Sequence, residues 1–151
     1  MDRVDGRYRG ITGRNAVPIK RALQPKLEAM LGEKSSEMRI AAIQAAAKLG
    51  IDTLEASLVR LLRRDRDSEV RLAALKGLEQ LQKKKIDEVL EIALSDRDES
   101  VRAAALSIVP ESNLAEKDAV KLLQKIYRNG TSTEKEAALM ALSEYLSLIH
   151  I

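Results

Sequence analysis

The sequence predicts an all-α fold, an α-solenoid of four helical hairpins behind an irregular N-terminal leader. Three observations carry that prediction. Leu (22) and Ala (20) supply 42 of 151 residues, while Gly and Pro together supply ten, a composition that favours helices over strands. Apolar residues fall at helical rather than alternating spacing. A six-residue pattern also returns: Met38-Arg39-Ile40-Ala41-Ala42-Ile43, Val70-Arg71-Leu72-Ala73-Ala74-Leu75, Val101-Arg102-Ala103-Ala104-Ala105-Leu106 and, more weakly, Glu134-Lys135-Glu136-Ala137-Ala138-Leu139. The offsets are 32, 31 and 33 residues, the period of a repeat made of two helices.

The repeats occupy residues 19–146 in units of about 19–50, 52–82, 86–110 and 115–146. In the first, Pro25 falls inside the first helix, where it removes an amide donor and predicts a kink or a late start. In the second, Leu54, Leu58, Leu61 and Leu62 share one face of a helix over 52–64. The turn Arg64-Asp65-Arg66-Asp67 then leads to a helix over 68–82, with the stripe Val70, Ala74, Leu78 and Leu81 and with Asp67 or Ser68 as N-cap. The third unit repeats the plan with helices from 86 to 94 and from the turn Ser95-Asp96-Arg97-Asp98 to Pro110. The fourth has helices over 115–128 and 132–146, split at Asn129-Gly130-Thr131, with Gly130 expected as the residue that closes the helix. Ala42, Ala74 and Ala105 let successive second helices approach closely, and Gly77 reads as a close-packing position. One hairpin cannot bury its stripe, whereas four stacked ones form a continuous core.

Composition excludes several classes. There is no Cys, so disulfides, thiolate metal sites and cysteine nucleophiles are absent. The longest apolar run, Ala137 to Leu142, predicts no membrane span. The net charge of +3 is unevenly placed. Residues 1–21 hold six basic and two acidic side chains, the other 130 residues 20 basic and 21 acidic. The repeat body is thus near neutral, which weakens the argument from a basic pI for nucleic acid as its partner.

The stretch Asp65-Arg66-Asp67-Ser68-Glu69-Val70-Arg71-Leu72-Ala73-Ala74-Leu75-Lys76-Gly77-Leu78, echoed from Asp96, resembles the HEAT repeat in its short bacterial form, similar to the repeats of phycobilisome-lyase-like proteins. The resemblance implies a right-handed array of four HEAT-like hairpins that acts as a non-catalytic scaffold or spacer, with contacts to a protein or to other domains of the same chain. It implies no cofactor. It also implies that Asp65, Asp67, Asp96 and Asp98 with Arg71 and Arg102 form a structural inter-repeat ladder and its caps.

Second helices line the partner-facing side of such arrays, which places Gln44, Lys48, Lys76, Gln80, Ser107, Lys135 and Met140 there, with Ala73 and Ala104 between them. The alternative, a nucleic-acid-binding module, would use Arg60, Arg63, Arg64 and Arg66 with Lys83, Lys84 and Lys85 as anion contacts. Interleaved Asp65, Asp67, Asp87 and Glu88, and the lack of Trp and Phe for stacking, weigh against it. A bilin lyase, the enzymatic alternative, would need a residue set that the sequence does not display. His150, the one His, has no ligand partners, and the Asp-x-Asp turns lack calcium-loop spacing. Tyr127 and Tyr145 read as packing residues.

The two ends stand apart. Residues 1–18 form the basic leader, with Gly6, Gly10 and Gly13 in no strand–turn–helix context. This stretch resembles the lead-in to the HEAT segment of large exported bacterial proteins that join a sorbosone-dehydrogenase-like propeller to a c-type haem domain. That resemblance implies a fragment of a longer, periplasmic redox protein; a free-standing adaptor would instead be cytoplasmic. At the other end, Leu146-Ser147-Leu148-Ile149-His150-Ile151 matches the translation of the transposon-end adapter of sequencing libraries. The expectation is that native sequence ends near Tyr145, that 146–151 is an adapter artefact, and that the exposed last repeat can self-associate.

Overall fold

The computed structural model describes residues 16–81 and 86–149. Among the described residues eight α-helices follow in order: α1 (Val17–Leu31), α2 (Ser36–Leu49), α3 (Glu55–Arg64), α4 (Ser68–Leu81), α5 (Ile86–Leu94), α6 (Glu99–Ile108), α7 (Glu116–Asn129) and α8 (Ser132–Ile149). They pair as four hairpins, and the second helices form one layer in which α2 packs on α4, α4 on α6 and α6 on α8. Among the first helices, α3 packs on α5.

The core is one continuous cluster running through all four hairpins. Ala42, Ala74 and Ala105 are fully buried, as are Leu54, Leu58, Leu62, Val70 and Leu78, while Leu61 and Leu81 are half-buried at its edge. A fully buried leucine of this kind contributes about 2–5 kcal/mol relative to Ala. Gly77 is part of the same packing. A Cβ there would stand 2.9 Å from Ile43 Cγ2 on α2, so the absent side chain sets how closely α2 and α4 approach.

Several local expectations are corrected. Helix α1 runs unbroken from Val17 through Pro25, so no late start occurs. The second unit opens with a 3₁₀ turn at Asp52–Leu54 before α3 begins. Helix α6 likewise gives way to a 3₁₀ turn over Val109–Glu111, which accommodates Pro110 at a position where a missing amide costs little. Asp67, not Ser68, accepts the first-turn amide of α4, at 2.9 Å from Glu69 N.

Gly130 is not left-handed. Its φ of −75° and ψ of 174° are extended, and glycine is required there for space, because a Cβ would lie 2.7 Å from the Ile126 carbonyl oxygen. The left-handed terminus belongs to Gly50 (φ 63°), which closes α2 while the Lys20 ammonium donates to its carbonyl at 3.1 Å. Tyr145 packs against the core, but Tyr127 is half-exposed. Helix α8 continues to Ile149.

Candidate functional site

The hairpin turns carry a chain of ion pairs that runs from one repeat to the next. Arg39 Nε and Nη2 donate to the two Asp65 oxygens at 2.9 and 3.0 Å. Arg71 repeats this on Asp96 at 2.9 and 3.0 Å. Arg102 Nε donates to Glu134 at 2.6 Å. The Nη1 of each arginine turns back to its own repeat, donating to carbonyls of Glu33 and Lys34, of Asp65 and Arg66, or of Asp96. Each guanidinium therefore ties its own turn to the turn of the following repeat.

The second aspartate of each Asp-x-Asp does separate work. Asp67 and Asp98 cap α4 and α6 through the amides of Glu69 and Ser100. Asp65 and Asp96 in turn accept from the backbone amides of Asp67 and Asp98, so each turn is braced before the arginine reaches it. The amide of Ser100 holds the Asp98 carboxyl below the usual aspartate range. Arg71 and Arg102 are raised further above the ordinary arginine value by their carboxylate partners.

Two members of this chain were not among the residues singled out from the sequence. Arg39 stands in register with Arg71 and Arg102, so the repeat itself would have found it. Glu134 occupies the place of Val70 and Val101, which hides its role. Its signal is the Thr131-x-x-Glu134 spacing of a capping box: Thr131 N donates to Glu134 at 2.8 Å and Glu134 N to Thr131 Oγ1 at 3.3 Å. The Arg102 hydrogen bond and then the Thr131 amide lower the Glu134 pKa below the ordinary glutamate value.

On the second-helix side, α2 and α4 enclose a groove of about 350 Å³ whose lining includes Gln44, Lys48, Lys76 and Gln80 over a floor of Ile43, Ala47, Ala73 and Gly77. The groove exists because glycine at position 77 brings the helices together while the longer side chains rise on either side. Lys48 and Lys76 are exposed and make no ion pair among the described residues. An adjoining hollow of about 410 Å³ is lined by Lys76, Glu79, Gln80 and Glu111, so the sign of charge reverses toward the third repeat. Of the other candidates, Ser107 donates to Ala104 O at 2.7 Å on α6, and Lys135 and Met140 are exposed on α8, outside the groove.

A different groove, about 660 Å³, lies along the turns and is lined in part by Arg63, Arg64, Arg97, Glu88 and Glu91. Its charge is largely spent internally. Arg63 reaches Glu88 at 4.0 Å, Arg97 donates to Arg66 O at 3.1 Å, and the ladder occupies Asp65, Arg71 and Asp96. Arg60 lies 3.8 Å from Glu28. Lys83, Lys84 and Lys85 lie outside the described residues. Among the described residues no group of three or more acidic or His side chains is placed to hold a metal ion, and no helix is long and apolar enough to cross a membrane.

Stacked two-helix repeats joined by a recurring turn and an arginine–carboxylate ladder define an α-solenoid, a class that presents extended binding surfaces. The family model for HEAT repeats matches residues 55–143, more than half of the chain. The chain belongs to the HEAT-repeat family, whose members mediate protein–protein interaction and are typically non-catalytic. No curated protein matches the chain.

Proposed function

We propose that the protein is a non-catalytic scaffold that holds an extended protein segment in the α2/α4 groove. One observation carries the reading: Lys48 and Lys76 flank an apolar floor beside Gln44 and Gln80. The glutamine amides can both donate to and accept from a peptide backbone, and the lysines select acidic side chains on that segment. A groove between two helices that stays open to solvent suits a peptide better than a small molecule, which takes a more enclosed cavity. A photo-crosslinking residue placed at Gln44 or Lys76 should capture a protein that one placed at Arg60 does not, and Lys48→Glu with Lys76→Glu should abolish that capture. Equal capture at both places, or capture unaffected by the charge reversal, would overturn the reading.

The further proposal, that this scaffold is the spacer of an exported redox protein, is supported by the leader resemblance, which lies outside the described residues. Sequencing the locus on both sides of the frame tests it: propeller and haem-attachment segments are expected, and their absence refutes it.

A further inference from the structure

The first and fourth repeats carry matching halves of the contact that joins the repeats between them. Ile43, Leu75 and Leu106 close the recurring six-residue pattern and are at most 1% exposed. Ile43 reaches forward, its Cγ2 occupying the space left by Gly77 on the next repeat. Leu139 holds the same register in the fourth repeat and is 55% exposed. Beside it, Lys135 stands where Arg39, Arg71 and Arg102 reach forward to a carboxylate. It too is exposed and makes no ion pair among the described residues.

The first repeat presents the receiving half. Glu33 precedes the Ser35 cap by two residues, as Asp65 precedes Asp67 and Asp96 precedes Asp98, so its exposed carboxylate holds the acceptor place of the ladder. Met38, in register with the fully buried Val70 and Val101, is 43% exposed. Ala45 stands in the register of Gly77, a small residue where the forward-reaching side chain of the preceding repeat would seat.

We propose that the chain stacks head to tail on a second copy of itself, Lys135 and Leu139 of one copy meeting Glu33, Met38 and Ala45 of the next. The charge pair and the apolar pair both favour this polarity. A tail-to-tail dimer would bring two Lys135 ammonium groups together and leave Glu33 unused. A contact between different ends does not close on itself unless the rotation allows a ring, so assembly continues beyond the dimer.

Sedimentation velocity on the full 151-residue chain tests this over about a hundredfold range of concentration. The weight-average mass is expected to climb without settling at the dimer. Lys135→Glu or Glu33→Lys alone should weaken association about tenfold, the double reversal should restore it, and Leu139→Glu should abolish it in either background. A chain that stays monomeric throughout overturns the proposal. So does a closed dimer that Glu33→Lys leaves unchanged, since that is the tail-to-tail arrangement.

Discussion

The guanidinium of Arg71 on α4 grips both carboxylate oxygens of Asp96, at 2.9 and 3.0 Å, across the boundary between the second and third repeats. Both side chains are nearly inaccessible, 4% and 6% exposed. The planar fork matters more than the charge, because the nitrogen left over holds the carbonyls of Asp65 and Arg66. Replacing Arg71 with Met should cost about 3–5 kcal/mol, since it strands a buried carboxylate. Arg71→Lys should cost about 1–3 kcal/mol, because one ammonium cannot reproduce two parallel bonds and the turn contacts together. Urea unfolding would check both, and Arg102→Lys should lose less, its side chain being 25% exposed.

The last rung should impose a pH dependence of its own. Arg102 and the Thr131 amide lower the folded-state pKa of Glu134 from the ordinary 4.5. A depressed carboxyl pKa adds stability that is complete above the unfolded value and disappears as pH falls through the folded value. Glu134→Gln keeps the capping-box geometry but not the charge, so it should be less stable at neutral pH by about 1 kcal/mol. The difference should be constant above the ordinary glutamate range and close on acidification below 4.5. Asp98 and Glu37, also lowered, titrate in both proteins and cancel from the comparison. Unfolding midpoints across the acid range would measure this, and a gap that widens as pH falls would contradict it.

The repeat made the fold legible because its period and apolar stripes act over whole helices, where single-residue ambiguity averages out. Asp65, Arg71, Asp96 and Arg102 recur in register, and the ladder was an implication of the HEAT resemblance that this register carries. Glu134 was not legible in this way, because a capping carboxylate has replaced the apolar residue of that register and serves two purposes at once. The helix ends at Asp52, Pro110 and Gly130 depend on backbone geometry and on atoms from the adjoining turn, which periodicity does not encode. Gln44, Lys48, Lys76 and Gln80 lie together because Gly77 draws α2 against α4, a spacing that no count of residues reveals.

Gly77 offers a direct test of that spacing. In a helix interior Gly→Ala ordinarily gains about 1 kcal/mol. Here the added methyl would meet Ile43 Cγ2 at 2.9 Å, so Gly77→Ala should instead destabilise by about 1–2 kcal/mol. Ile43→Ala removes the obstructing group at the usual cavity cost. A double-mutant cycle on the two should therefore show coupling above about 0.5 kcal/mol, with the pair less damaged than the sum. Additive effects would mean that α2 and α4 are not held at this distance by Ile43 and Gly77.

Two of the helix-closing glycines, Gly50 and Gly130, should respond oppositely to asparagine. Gly50 is needed for its left-handed backbone, φ 63°, a conformation that Asn enters at little cost. The nearest atom to a Cβ there is the Lys20 ammonium nitrogen at 3.3 Å, the far end of a flexible side chain that can yield. Gly130 has an ordinary φ of −75°, but a Cβ would lie 2.7 Å from the Ile126 carbonyl oxygen and 3.0 Å from Glu134 Cβ. That carbonyl also accepts the Gly130 amide at 2.7 Å, so it cannot retreat without giving up the bond that ends α7. Gly50→Asn should shift stability by less than about 1 kcal/mol, whereas Gly130→Asn should cost about 1–3 kcal/mol by forcing α7 away from α8. Because Glu134 carries the last rung, the second substitution should also flatten the acid dependence measured for Glu134→Gln. Thermal unfolding of both variants at neutral and acid pH reads the two effects together, and equal losses at the two glycines would refute the distinction between a conformational and a spatial requirement.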